Sequence, residues 1–167
     1  MEFKPYIVDK VLHWSIVLML LLMLNLSTEL HYTNWEIKGP LLHRQEAIQF
    51  HATVGILILL IVISRVVFTQ IMRASIPRIA PKSGKHAKFI KIIHVGMYSC
   101  LLALVFTGIG LIINYEVPLS IYGVELTPIR EDFLKVFPKL HDVHLILQNV
   151  FWWLVAIHFA GFIYSKK

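Results

Sequence analysis

Cysteine is nearly absent: the 167 residues contain one, Cys100. A lone thiol forms no intramolecular disulfide, and in the middle of an apolar run it reads as packing. Charge is scarce too. Only 16% of residues are charged against 57% hydrophobic, with a mean hydropathy of +0.68. That balance is too oily for a soluble domain of this length. Low-complexity tracts and internal repeats are missing. So is a small-residue cleavage site after the first apolar run, where Leu26-Ser27-Thr28-Glu29-Leu30 leads into bulky residues; the run is expected to be a permanent span and not a removable leader.

What remains is a chain suited to lipid. Four apolar stretches are long enough to cross about 30 Å of hydrocarbon: Val11–Leu26 (borrowing Ile7 and Val8), Ala47–Val67, Phe89–Tyr115 and Val143–Tyr164. They predict a single transmembrane domain over 1–167 with helices at about 7–27, 47–70, 88–115 and 142–165. The chain ends and the middle loop carry eleven Lys and Arg against Glu2 and Asp9, a net +9; the other two loops carry five against eight acids, a net −3. By the positive-inside rule both termini and the Arg73–Lys88 loop lie in the cytoplasm. The overall +6 then reflects topology and anionic lipid, and a nucleic-acid partner is not called for. The outer Glu116–Leu140 connection contains Pro118, Pro128 and Pro138, and its amphipathic piece Arg130–Phe137 is expected to lie as a short helix in the interface. Tyr32, Trp35, Tyr115 and Tyr122 suit an outer aromatic belt.

The histidines carry the chemistry. His144 and His158 share the last span, fourteen residues apart, so they stand roughly 21 Å apart along the axis with directions differing by only about 40°. One helix thus offers a ligand near each membrane surface. His141 fails this test, because its distance to His158 turns it onto another face. His13 begins the first helix and His94 the third, both on the inner side, while His51 begins the second on the outer side. The outer level has one helix-borne pair, His51 with His144; at the inner level His13, His94 and His158 compete.

Two imidazoles clamping a planar macrocycle between helices give a six-coordinate haem, a site for moving electrons because no iron position stays open. Zinc asks for three or four ligands at one height, and only His43, Glu46, His141 and Asp142 lie just above the outer pair. Covalent haem attachment needs two cysteines, so any haem here is b-type. Gly55, four residues after His51 on the same face, makes room for a ring to approach. Arg65, fourteen after His51, returns to that face at the inner level. There it either pairs with a haem propionate or snorkels to inner headgroups. His31, His43, His86 and His141 fall in loops or at helix ends and read as solvated.

The segments VLHW (Val11–Trp14), FHATVG (Phe50–Gly55), IIHVGMY (Ile92–Tyr98) and HLILQNVFWWLVAIH (His144–His158) resemble the bacterial cytochrome b561 family over essentially all four helices. Related di-haem b subunits anchor some formate dehydrogenases and nickel hydrogenases. The resemblance implies that the first and fourth helices share one haem and the second and fourth the other. Carried over, that pairs His13 with His158 inside and His51 with His144 outside. It also implies quinone chemistry, with ubiquinone or menaquinone as substrate, and in some stand-alone members oxidation of superoxide. A superoxide site gains from a cationic funnel, whereas this outer face is net −3. Lys135, Lys139 and Arg130 stand above His144, but Glu131, Asp132 and Asp142 lie among them.

The expectation is an all-α, integral membrane four-helix bundle with two non-covalent bis-His b haems in the bacterial inner membrane, acting as an oxidoreductase on quinol or on superoxide and quinone. His94, Arg65 and Lys91 are the inner candidates for quinone and proton handling. The alternatives are a non-catalytic cytochrome subunit docking a periplasmic redox partner, and a histidine-based proton or metal transporter, which would be colourless.

Overall fold

A helix in lipid must satisfy its backbone internally and is apolar on all sides, and four helices of this kind dominate the protein. The computed structural model describes residues 4–32, 41–76, 81–113, 119–126 and 130–166. Helix α1 spans Pro5–Tyr32, α2 Leu41–Ile71, α3 Gly84–Ile113 and α4 Arg130–Lys166; strands β1 (Leu119–Ile121) and β2 (Val124–Leu126) lie between α3 and α4. Each helix contains a stretch long and apolar enough to cross a membrane: Pro5–Asn25, Gln45–Ile71, Gly84–Ile113 and Pro138–Ser165. The all-α membrane fold read from the sequence is the fold found.

Each helix begins before the span read from the sequence. Pro5, with its φ already helical and no N–H to satisfy, opens α1, so Asp9 sits within the helix and not before it. At the start of α3, Ser83 Oγ accepts the backbone N–H of His86 at 3.2 Å, an N-cap that fixes where the helix begins. The largest difference is in α4. Arg130–Phe137, expected as a separate interfacial helix, is the first part of α4, which continues through Pro138. Proline removes one intrahelical hydrogen bond. Pro138 is also the first residue of the membrane-length stretch, where headgroup water can solvate the carbonyl that loses its donor.

The chain divides into two compact units, Met1–Pro77 with Val117–Pro128 and Arg78–Glu116 with Ile129–Lys167. In the first, α1 packs on α2, and β1 packs on α2 as well. The antiparallel hairpin pairs Leu119 with Leu126, Ser120 with Glu125 and Ile121 with Val124. Its two turn residues, Tyr122 (φ 51°) and Gly123 (φ 78°), are both left-handed, as a two-residue type I′ turn demands. Tyr122 Oη donates to the Thr53 carbonyl at 3.2 Å, holding the turn against α2.

In the second unit α3 packs on α4 through small residues. A Cβ on Gly96 would meet Leu154 at 3.6 Å, and one on Gly110 would meet Leu140 at 3.1 Å. Between them the buried Cys100 thiol points at the Leu147 carbonyl, 3.3 Å away, in keeping with a packing role. Small side chains allow the close backbone approach on which helix association in lipid depends.

The surface is that of a protein in hydrocarbon. Trp14, Leu18, Phe106 and Trp153 are all more than half exposed, whereas a soluble monomer hides such residues. Buried side chains among those described are apolar or Cys100, with Ile58 the most enclosed. Some polar side chains within the spans bond to their own helix, as Ser64 Oγ does to the Leu60 carbonyl and Asn25 Nδ2 to the Leu21 carbonyl, which lowers the cost of placing them in lipid.

Candidate functional site

The expected donor set is shared between the two units. His13 and His51 belong to the first; His94, His144 and His158 belong to the second.

On α1, His13 is half-buried and follows Asp9 by one turn, so the two share a face. Arg65 Nε donates to Asp9 Oδ1 at 3.0 Å, with side-chain exposures of 22% and 19%. This ion pair ties the N-terminal end of α1 to α2 one turn from His13. Arg65 was expected to meet a propionate or the headgroups; Asp9 is a partner that the sequence reading did not name. Its only signal was a pair of opposite charges on two helices, and pairing them required the register of α1 against α2.

On α2, His51 is half-buried and its Nδ1 is shielded from solvent. Gly55, one turn on, faces α1: a Cβ there would meet Met23 Cε at 3.5 Å. The space left by the missing side chain is covered by the end of a methionine, the most adaptable apolar side chain. The hairpin contact at Thr53 lies two residues from His51.

On α4, His144 and His158 are carried by one continuous helix, so their separation of roughly 21 Å holds along its axis. His144 Nδ1 is 2.8 Å from Thr107 Oγ1 of α3, and a Cβ on Gly108 would lie 3.5 Å from His144 Cε1. The ring therefore rests against the α3 backbone. Neither Thr107 nor Gly108 was singled out from sequence, although a hydroxyl beside a glycine at the outer level of α3 is the pattern to seek.

His94 is held by its own helix, donating from Nδ1 to the Ile90 carbonyl at 2.7 Å. A carbonyl only accepts, so Nδ1 carries a proton, and in the neutral ring the lone pair is then on Nε2. The His94 and His158 rings meet edge to face with centroids 4.8 Å apart and planes at 86°, which leaves no space for a macrocycle between them. Lys91, three residues earlier, is exposed.

Two histidines expected to be solvated are not. His86 is half-buried: Nδ1 accepts the Lys82 N–H at 3.2 Å, Nε2 is 3.5 Å from Ser165 Oγ, and the ring stacks edge-on against Tyr164 at 5.2 Å. Lys82 Nζ lies over the same tyrosine ring at 4.6 Å. Ser165 in turn donates to the Gly161 carbonyl, so His86 fastens the start of α3 to the end of α4. His141 is half-buried within α4. Both positions lie inside helices that begin before the apolar stretches read from the sequence, Phe89–Tyr115 and Val143–Tyr164. The side chains of His31 and His43, and those of Arg130, Glu131, Asp132 and Lys135, lie outside the described residues, as does Trp35.

These residues fit a b-type haem. The donors are imidazoles, soft enough for iron; two of them, His94 and His144, have named hydrogen bonds on Nδ1; and the one thiol is committed to packing. No group of three or more His, Cys, Asp or Glu side chains suited to a metal ion occurs among the described residues.

Membrane-length helices that carry imidazoles, in a chain with one cysteine, fit a membrane cytochrome of the non-covalent class. The family model for prokaryotic cytochrome b561 matches residues 7–167, and the chain belongs to that family. Comparison with curated proteins and with solved structures gave no match. Membership makes the protein a bacterial membrane b-type cytochrome that binds haem and transfers electrons, and sets aside the transporter reading.

Proposed function

We propose that the protein is a di-haem b cytochrome of the inner membrane, moving electrons across the bilayer to or from the quinone pool, with both termini cytoplasmic. The observation that carries this reading is the presentation of His144 and His158 on nearly one face of an unbroken α4, roughly 21 Å apart along its axis and so at two levels within about 30 Å of hydrocarbon. His51 and His144 ligate the outer haem; His13 and His158 ligate the inner one. The edge-to-face contact of His94 with His158 favours His13 as the opposite ligand, because two touching rings cannot bind one iron from opposite sides.

When bound, a six-coordinate haem supplies a one-electron couple with no open iron position. The chain's residues supply the rest. Gly108 keeps a Cβ atom away from the His144 ring, while Gly55, one turn from His51, faces Met23 of α1. Arg65, a candidate for quinone and proton handling, is half-buried and ion-paired with Asp9. His94, protonated at Nδ1, offers Nε2 in the neutral ring as the acceptor for a quinol proton, with exposed Lys91 three residues before it on α3.

A second reading has an observation of its own. The loops assigned outside are net −3, which repels superoxide and suits docking of a basic periplasmic redox partner.

A reduced-minus-oxidised visible spectrum of the full chain in detergent, with pyridine haemochrome quantification, tests the proposal. The expected result is two low-spin b haems per chain. One disappears in His51→Ala and His144→Ala, the other in His13→Ala and His158→Ala. His94→Ala is expected to keep both haems and slow quinone reduction at least tenfold. Loss of a haem in that variant would make His94 the inner ligand instead. A single haem per wild-type chain would overturn the di-haem assignment.

A further inference from the structure

A histidine ligand is tuned through the ring nitrogen that does not bind the metal, and the structure names the group at that atom of His144. Thr107 Oγ1 lies 2.8 Å from His144 Nδ1. The same oxygen is 2.9 Å from the Ala103 carbonyl and 3.0 Å from the Leu104 carbonyl of its own helix. Carbonyls only accept, so the single hydroxyl hydrogen of Thr107 is directed to them. The hydrogen between Thr107 and His144 therefore belongs to the imidazole: Nδ1–H donates and Oγ1 accepts. A neutral imidazole protonated at Nδ1 carries its lone pair on Nε2.

Gly108 adds a steric term to this hydrogen bond. A Cβ at that position would sit 3.5 Å from His144 Cε1, the carbon between the two nitrogens, so the ring edge lies directly on the α3 backbone. Cys100, two turns earlier, hydrogen-bonds the Leu147 carbonyl three residues beyond His144, which helps to set the register of α3 against α4. The ring is thus fixed in tautomer by Thr107, in lateral position by Gly108 and in height by helix packing.

We propose that Thr107 is a positioning residue for the outer haem ligand, selecting the Nε2-ligating tautomer of His144 and lowering the potential of that haem. The inference rests on His144 being a ligand, as proposed above. Accepting a hydrogen bond from Nδ1–H gives the ring imidazolate character, and a more basic ligand favours ferric over ferrous iron. Removing the acceptor raises the potential of one haem and leaves the other unchanged.

The test compares Thr107→Val, which has the same shape without an acceptor, with Thr107→Ser, which keeps the hydroxyl. Both are made in the full chain in detergent and followed by haem quantification, spectroelectrochemical titration and electron paramagnetic resonance of the ferric haems. The outer haem is identified as the one lost in His144→Ala. For Thr107→Val we expect a more positive outer potential, altered outer g-values, and roughly ten- to hundredfold weaker retention of that haem, with the inner haem as in wild type. Thr107→Ser should match wild type.

Unchanged outer potential and g-values in Thr107→Val would overturn the proposal, as would Thr107→Ser behaving like Thr107→Val. If His144→Ala loses no haem, the ligand assignment itself has failed, a result distinct from either of these.

Discussion

Two of the polar contacts that cross between helices, Asp9–Arg65 and Thr107–His144, differ in what they do. The ion pair joins two charges that would each be costly near hydrocarbon, and with about a fifth of each side chain exposed it is only partly removed from water. Replacing Arg65 alone with Met leaves Asp9 without its partner, and a hydrogen bond to a charged group contributes about 1.5–3 kcal/mol. Arg65→Met is therefore expected to lose about that much stability in detergent thermal unfolding. The double variant Asp9→Leu with Arg65→Met should recover most of the loss, because an apolar pair carries no desolvation cost. A double variant no more stable than the single one would mean that the pair contributes more than mutual neutralisation. Neither contact was legible in the sequence. His144 stood out because His158 follows it at a helical spacing within the same span. Thr107 lies on another helix, and its relation to His144 depends on the register of α3 against α4, which no spacing along the chain encodes.

Helices were easier to find than their ends. Apolar length marked each of the four spans, but polar extensions such as Leu41–Glu46 and Arg130–Phe137 are helical as well; hydropathy reports the solvent that surrounds a segment and not where its hydrogen-bond ladder stops. The hairpin escaped notice for a different reason. Its strands have three residues each and its turn is Tyr-Gly where Asn-Gly is the usual signal. At the α3–α4 interface the glycines separate two effects. Alanine at Gly96 gains up to about 1 kcal/mol of helix propensity and makes only ordinary contacts with Leu154 at 3.6 Å. Alanine at Gly110 has the same gain, but its Cβ would stand 3.1 Å from Leu140 Cδ1, and overpacking costs about 1–3 kcal/mol. Gly96→Ala should unfold at or above the wild-type temperature and Gly110→Ala at or below it. The reverse order would show that the helices are set by contacts other than these glycines.

At the scale of the whole molecule, charge is what the proposed orientation rests on. Four apolar helices with even connectivity place both ends on one side of the membrane, but hydropathy alone does not choose the side. The proposed choice rests on eleven basic residues against two acidic ones in one set of segments, and five against eight in the other. The single cysteine makes this testable without disturbing much else. Cys100 is buried and hydrogen-bonded, so Cys100→Ser supplies a background free of thiols. Into it go Lys10→Cys and Lys85→Cys on the basic segments, and Ser120→Cys and Glu125→Cys on the exposed hairpin. With a membrane-impermeant maleimide on intact cells, the two hairpin positions are expected to label at once and the two lysine positions only after the inner membrane is opened. Neutralising Arg73, Lys82, Lys85 and Lys88 together should then produce a mixed population, since the middle loop would no longer outweigh the acidic loops in anchoring to the cytoplasm. Labelling of Lys85→Cys in intact cells would invert the topology and exchange the surfaces on which quinone and redox partner are proposed to act, while leaving the pairing of histidines along α4 unaffected.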